Sequence, residues 1–263
     1  MSKTDYQQFC DPFDKVLEAT RNGELILMVD DVDRENEGDL VIATEKITLE
    51  KISFILREAR GLMCVSIPQE TASMLQLPLQ VPDNKSKFST PFTVSVDHVS
   101  VAGRGVYASS RLRTLERLIS QDAKREEFVS PGYIFPLIAN PGGVLKRQGQ
   151  TEGSCDLAKL AGLKPSGVIC EILNPDGTMM RGAALKEFAV RHNILFTSVQ
   201  EILQFRKSKE EDLSEVERGK VSTDLGVFNF VVFKEYQTLK EYIVIYANEI
   251  KYLDKNFIKI HKE

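Results

Sequence analysis

The sequence has no tryptophan, only three histidines and no long apolar run. No stretch approaches the roughly 18 apolar residues that identify a membrane-spanning helix, and the polar N-terminus MSKTDYQQFC is unlike a signal peptide. These absences predict a soluble, cytoplasmic protein that does not associate with membranes.

Cysteine is scarce and scattered. Cys10, Cys64, Cys155 and Cys170 are far apart and form no C-x-x-C pair, which argues against a structural zinc site and against a disulfide framework. We expect small buried thiols instead. Clusters of basic residues are also lacking, and the net charge is -4. Nucleic acid is therefore not an expected partner, since neutralising phosphates requires clustered Lys and Arg.

The 263 residues are 42% hydrophobic, enough for a packed core. Strand-like and helix-like patterns alternate up to about residue 205. This alternation predicts an α/β (α+β) fold, a single compact domain (1–205) with a mixed sheet flanked by helices. Strands are predicted at ELILMV, LVIAT, GLMCVSI, FTVSV, YIFPLIA and GVICEIL.

The C-terminal region has a different character. Residues 206–220, RKSKEEDLSEVERGK, are charged with few apolar anchors, which predicts a linker. Residues 221–263 alternate Val, Ile, Phe and Tyr with polar residues. They are interpreted as a β-rich extension that is too short to fold alone.

The most unusual stretch is VDDVDRENEGDL, residues 29–40, in which six carboxylates and one arginine lie between two apolar segments. A solvated acidic loop is the ordinary explanation for such a run. Its apolar flanks read as buried strands, however, and like charges near a core repel unless a positive group lies among them. Hard oxygen ligands in a tight loop suit Mg²⁺ or Mn²⁺ better than zinc. The stretch is not an EF-hand, because the required glycine and distal Glu are missing.

The same stretch resembles the acidic signature of the 3,4-dihydroxy-2-butanone 4-phosphate synthase family of riboflavin biosynthesis. The resemblance continues in the family's order through FTVSVD, SPGYIFPL, GGVLKRQGQTEGSCDLAKLAGLKPSGVICEIL and NPDGTMMR, and covers about residues 12–204. It implies a lyase that converts ribulose 5-phosphate to a four-carbon phosphoketone and formate. It also implies Mg²⁺ or Mn²⁺ at the acidic loop, and a homodimer whose active sites lie at the subunit interface.

The family's functional residues map onto this chain one by one. By resemblance, Glu35 is the metal-binding glutamate and a catalytic residue, while Arg34, Glu37 and Asp39 bind the substrate. The substrate site is also expected to include Arg147, Gly149, Thr151 and Glu171. Asp39 and Glu171 are expected to be catalytic as well.

Two histidines of the family pattern are replaced. The usual G-H-T-E reads Gly-Gln-Thr-Glu here, so Gln150 takes the position of a metal-binding and substrate-binding histidine. An amide oxygen is still acceptable to Mg²⁺. The usual R-P-G-H reads Ser-Pro-Gly-Tyr, which makes Tyr133 a candidate catalytic residue in place of the second histidine. Glutamine does not titrate and tyrosine has a pKa of ~10, so neither replaces an imidazole simply.

A third departure follows FTVSVD. The family's Thr-Thr-Gly-Ile-Ser phosphate loop is replaced by GRGVY, in which Arg104 between two glycines is a candidate anion ligand. His98, just before this loop, is either structural or a substitute base. The tail 221–263 weakly resembles the opening strands of a GTP cyclohydrolase II domain, without that enzyme's cysteine zinc ligands; a generic β extension for dimer contacts is the alternative.

Three functions remain open from the sequence. The first is the family's synthase reaction with altered acid/base groups. The second is a redirected enzyme that performs a different enolisation, dehydration or rearrangement on a related sugar phosphate. The third is a non-catalytic relative that binds a phosphosugar.

Overall fold

The computed structural model describes residues 6–209, 213–224, 226–235 and 241–246. The chain divides between Gln204 and Phe205 into two compact units. Within the described residues, no helix is long and apolar enough to span a membrane.

The first unit contains a seven-stranded mixed sheet with the strand order β4-β5-β3-β6-β2-β1-β7. Two neighbouring pairs, β5 with β3 and β1 with β7, are parallel, and the other pairs are antiparallel. The strands are β1 (Ile26–Val29), β2 (Gly38–Ala43), β3 (Cys64–Ile67), β4 (Val96–His98), β5 (Phe128–Ile138), β6 (Gly167–Glu171) and β7 (Leu195–Ser198).

Helices cover both faces of this sheet. They are α1 (Phe13–Asn22), α2 (Leu49–Glu58), α3 (Gln69–Met74), α4 (Ala108–Leu118), α5 (Gln150–Leu160), α6 (Ala183–His192) and α7 (Val199–Lys209). The main hydrophobic core joins one face of the sheet, including Leu27, Leu40 and Val65, to α2, α4 and α6. Alternate strand residues point to the opposite face, where α5 packs on β2, β3 and β6, and α1 packs on α5. The α/β prediction with a mixed sheet is therefore confirmed.

Local signals account for several element boundaries. Pro12 precedes α1, and Gly23 ends it with a φ of 80°, a conformation that glycine adopts without steric cost. Thr48 caps α2 by accepting a hydrogen bond from the backbone N–H of Lys51. All four cysteines are free thiols. Cys64, Cys155 and Cys170 are buried, as expected, and Cys10 is partly buried.

Other predictions differ from the structure. The segment predicted as the strand FTVSV, 92–96, forms only isolated bridges at Phe92 and Thr93 before β4 begins at Val96. The two short elements α3 and β7 had no clear signal in the sequence. Helix α5 starts at Gln150, one residue before the predicted Thr151.

The second unit, from residue 205, contains an antiparallel sheet with the order β10-β9-β8. Its strands are β8 (Leu213–Thr223), β9 (Gly226–Glu235) and β10 (Glu241–Tyr246). The prediction of a charged linker at 206–220 is wrong, because these residues include the end of α7 and most of β8. Pairing with the apolar strand β9 stabilises the strand conformation of these charged residues. The local sequence of 206–220 does not reveal that β9 is their partner. The interpretation of 221–263 as a truncated GTP cyclohydrolase II-like segment stays a prediction.

Candidate active site

Most of the predicted site residues lie together at one end of the strands of the large sheet. Strand β2 begins at Gly38, and its antiparallel neighbour β6 ends at Glu171, so these two strand termini lie side by side. Strand β3 also begins there, and α5 begins close by with Gln150 contacting the acidic loop. Segments far apart in sequence are thus gathered on the face that α5 covers.

The acidic loop is organised by a residue that the sequence analysis did not select, Asp30. Its carboxylate is buried and accepts hydrogen bonds from the backbone N–H groups of Glu35 (3.0 Å) and Glu37 (2.9 Å). It also pairs with the guanidinium of Arg34 at 2.9 Å. A carboxylate that accepts several backbone N–H bonds fixes the loop around it. Its position directly after a buried strand was the available signal.

Arg34 connects the two residues predicted to bind metal. Its Nη1 atom lies 2.6 Å from Oε2 of Glu35 and 3.1 Å from Oε1 of Gln150. The guanidinium also lies over the ring of Phe88, 5.1 Å from the centroid, a cation–π contact. Gln150 is 5% exposed, and its Nε2 atom approaches the carbonyl oxygen of Glu37 at 3.5 Å, while its amide oxygen faces Arg34.

The loop before α5 is fixed by a buried glutamate. Glu152 is fully buried and pairs with Nη1 of Arg147 at 2.7 Å, while its other oxygen accepts the backbone N–H of Asn140 at 3.1 Å. Gly149 leaves room for two arginines, since a Cβ there would lie 2.6 Å from Nη1 of Arg147 and 2.9 Å from Nη2 of Arg34. Thr151 is buried in the first turn of α5. Glu152 is absent from the predicted site residues, although it belongs to the Gly-Gln-Thr-Glu pattern.

Asp39 and Glu171 form an acidic pair at the centre of the site. They are register partners on β2 and β6, which directs both side chains to the same face at a Cβ separation of roughly 5 Å. Burial and the Glu171 carboxylate raise the pKa of Asp39 well above its ordinary value. Burial also raises the pKa of Glu171, against the backbone N–H of Leu62, which donates to its Oε2 at 2.8 Å. Burial therefore favours the neutral form of each carboxyl group.

Glu37 lies beside this pair. Burial, with a further contribution from the Glu35 and Glu171 carboxylates, raises the pKa of Glu37 to about 7. Arg181, a third residue absent from the predicted set, partly opposes this shift from 3.7 Å. Arg181 also donates to the carbonyl oxygen of Asn36 at 2.8 Å, which ties the acidic loop to the turn before α6.

Tyr133 and Arg104 belong to a second group of residues at the same end of the strands. The buried carboxylate of Asp97 accepts the backbone N–H of Tyr133 at 2.9 Å, and Gly105 packs directly against that carboxylate. Tyr133 is 46% exposed. The side chain of Arg104 is exposed and forms no hydrogen bond or ion pair with the described residues. No direct contact joins this group to Glu35 or Gln150 within the described part of the chain.

His98 has a structural environment. It is buried, its Nδ1 atom is 2.8 Å from the hydroxyl of Ser100, and its ring packs edge-on against Phe128. The pKa of His98 is lowered mainly by burial. These contacts favour the structural explanation over a role as a substitute base.

The donors for a divalent cation are oxygen atoms. In the described residues, no group of three or more His, Cys, Asp or Glu side chains is arranged to hold a metal ion. The two predicted ligands nevertheless present a carboxylate oxygen and an amide oxygen to one shared cationic atom, Nη1 of Arg34. Hard oxygen donors that converge on one positive centre fit Mg²⁺, which keeps several waters and needs few protein ligands.

Comparison with known proteins agrees with this architecture. A sequence profile of 3,4-dihydroxy-2-butanone 4-phosphate synthase matches residues 14–205. The synthase of Photobacterium phosphoreum is 37% identical over 247 residues, which cover 94% of this chain and 68% of that protein.

Two solved structures give the same result. The crystal structure of RibBX, a two-domain synthase from A. baumannii, has a TM-score of 0.78 and 35% identity, over 89% of this chain and 69% of that chain. A synthase structure in complex with two magnesium ions has a TM-score of 0.72 and 34% identity, over 76% of this chain and 98% of that chain. The chain therefore belongs to the 3,4-dihydroxy-2-butanone 4-phosphate synthase family.

Proposed function

We propose that this chain is a metal-dependent lyase that converts ribulose 5-phosphate to 3,4-dihydroxy-2-butanone 4-phosphate and formate. The observation that carries the proposal is the juxtaposition of Asp39 and Glu171 beside the acidic loop. The reaction enolises a ketose, loses water, shifts the carbon skeleton and takes up water again as formate leaves. Every step moves protons, so a pair of buried acids suits it.

The residues divide this work. Asp39 and Glu171 exchange protons with the sugar carbons and hydroxyls, because one acid is neutral while the other is charged when two carboxylates share a buried site. Arg147, held by Glu152, and the exposed Arg104 bind the phosphate. Tyr133 donates a hydrogen bond where the family usually has a histidine.

We further propose that Glu35 and Gln150 hold the divalent ion, Mg²⁺ or Mn²⁺. A structure of a related synthase contains two magnesium ions, and the oxygen donors here suit the same ion. When bound, the ion polarises the substrate oxygens. Glu35→Gln is expected to weaken metal binding at least tenfold in calorimetry, whereas Asp33→Asn, an exposed change in the same loop, leaves it unchanged. Equal affinity for Glu35→Gln and the parent would contradict this assignment.

The active assembly is proposed to be a homodimer with sites at the subunit interface. Large apolar side chains at the loops beside Asp97 are exposed, among them Val106 (51%) and Tyr107 (58%), and exposed apolar groups next to a polar site are typical of an interface. Sedimentation should give a mass near twice 29.6 kDa. A monomer at micromolar concentration would contradict the dimer.

The direct test of the reaction is NMR of the full chain with Mg²⁺ and ¹³C-labelled ribulose 5-phosphate. Formate and the four-carbon phosphoketone should appear together. Ribulose 5-phosphate that stays unchanged, or is consumed without formate, would refute the synthase function.

A redirected reaction is the second candidate, and the replacement of two histidines by Tyr133 and Gln150 favours it. The double variant Tyr133→His, Gln150→His separates the two. If the synthase reaction is the native one, restored imidazoles should raise formate release, since an acid/base group contributes about 10²–10⁴-fold. If the chain is redirected, the variant gains little formate and loses the native activity.

A further inference from the structure

One nitrogen atom, Nη1 of Arg34, lies among three oxygen atoms of the acidic site. It is 2.9 Å from Oδ2 of Asp30, 2.6 Å from Oε2 of Glu35 and 3.1 Å from Oε1 of Gln150. A guanidinium Nη carries only two hydrogens, so three acceptors share two protons. The guanidinium thus acts as the positive centre of an oxygen cluster.

Two of these three oxygens are the metal ligands proposed above. An ion bound by both at about 2.0–2.1 Å would lie close to Nη1, where two positive charges repel strongly. We propose that the Arg34 guanidinium and the divalent ion are alternative partners of the same two oxygens, so that the ion binds Glu35 and Gln150 only when Arg34 withdraws. This inference rests on the proposed function, because it uses that metal site.

Arg34 lies at the surface end of this cluster. Its side chain is 15% exposed, and its guanidinium packs against Gly149, where a Cβ would lie 2.9 Å from Nη2. Asp30 would not be left alone, since it also accepts two backbone N–H groups. An anion that binds the guanidinium would remove it from the two oxygens. Anion and metal binding should therefore assist each other.

Arg181 provides a matched control. It donates to the backbone carbonyl oxygens of Asn36 and Glu35 and pairs with Glu37, but it has no hydrogen bond to Oε2 of Glu35 or to Gln150 among the described residues. Removing either arginine takes one positive charge from the same loop. Only the change at Arg34 removes a direct competitor of the ion.

The experiment measures Mn²⁺ binding to the full chain, without substrate, from the electron paramagnetic resonance signal of free Mn²⁺. Arg34→Met keeps an unbranched side chain without the guanidinium and should bind Mn²⁺ at least tenfold more tightly than the parent, because a hydrogen-bonded charged competitor is lost. Arg181→Met should change the affinity by less than about threefold. Inorganic phosphate should tighten Mn²⁺ binding in the parent and not in Arg34→Met. Equal effects of the two substitutions would overturn the proposal.

A second measurement uses the unmutated protein. In ¹⁵N NMR, Mg²⁺ should shift the guanidinium signals of Arg34 and leave those of Arg147, held by Glu152, in place; unchanged Arg34 signals would overturn the exchange. The variant Glu35→Gln distinguishes a failure of the proposed metal site from a failure of the proposed exchange between Arg34 and the ion. If it binds Mn²⁺ like the parent, the proposed metal site itself is wrong. If it loses Mn²⁺ while Arg34→Met matches the parent, only the exchange is wrong.

Discussion

Gly61→Ala should lower the rate of formate release roughly 10²-fold by displacing Glu171. A Cβ at position 61 would lie 2.6 Å from Oε2 and 2.9 Å from the backbone N of Glu171, with the carbonyl oxygen closer still. Real Cβ atoms essentially never make contacts under 3.0 Å. Because two of these three atoms belong to the backbone, rotation of a side chain cannot relieve the overlap.

The size of the effect follows from these distances. Ordinary contact begins at 3.4 Å, so Oε2 must move by about 0.8 Å and the nearer carbonyl oxygen by more. A displacement of about 1 Å in a positioned group costs roughly 10²-fold in rate. The overpacked turn should also cost about 1–3 kcal/mol of stability.

The assay is formate release from ribulose 5-phosphate, with the melting temperature measured in parallel. Gly162→Ala is the control, because Gly162 has open space around it and a positive φ of 79°. This control should lose about 1 kcal/mol of stability through backbone strain and keep full activity. If Gly61→Ala releases formate at the parental rate, the contact does not position Glu171 for catalysis and the reasoning is refuted.

Three further substitutions test other parts of the site. Asp39→Asn should abolish formate release yet raise the melting temperature of the metal-free protein. Burial raises the pKa of Asp39, so ionisation of this carboxyl group destabilises the fold as pH rises above the unfolded pKa of about 3.9. The gain in melting temperature should therefore be larger at pH 8 than at pH 5, and an equal gain at both pH values would contradict this. Ser66→Ala should lower the free energy of unfolding by about 1–3 kcal/mol in chemical denaturation and leave activity unchanged, because it removes the hydrogen-bond partner of Ser154 Oγ and of the Gly167 N–H. Unchanged stability would show that these hydrogen bonds are dispensable. Arg104→Ala should raise KM about tenfold with no change in melting temperature, since its exposed side chain has no partner in the described chain; an unchanged KM would place phosphate binding elsewhere.

The sequence by itself determined the family and the mixed α/β class, and it predicted the segments of the site. These properties depend on local information: apolar alternation marks β1 and β2, Thr48 caps α2, and the acidic run with its flanks is a continuous motif. The hydrogen bond between Arg34 and Gln150 brings the acidic loop and the start of α5 into contact.

The tertiary structure decided what depends on partners distant in sequence. Strand β8 forms from charged residues because β9 pairs with it. Asp30 and Glu152 matter because backbone N–H groups and an arginine converge on them once they are buried. Burial and, after it, the carboxylate of Glu171, 132 positions away, raise the pKa of Asp39, since antiparallel pairing places both carboxylates on one buried face. Desolvation and charge interaction act through space, and only the fold fixes those distances.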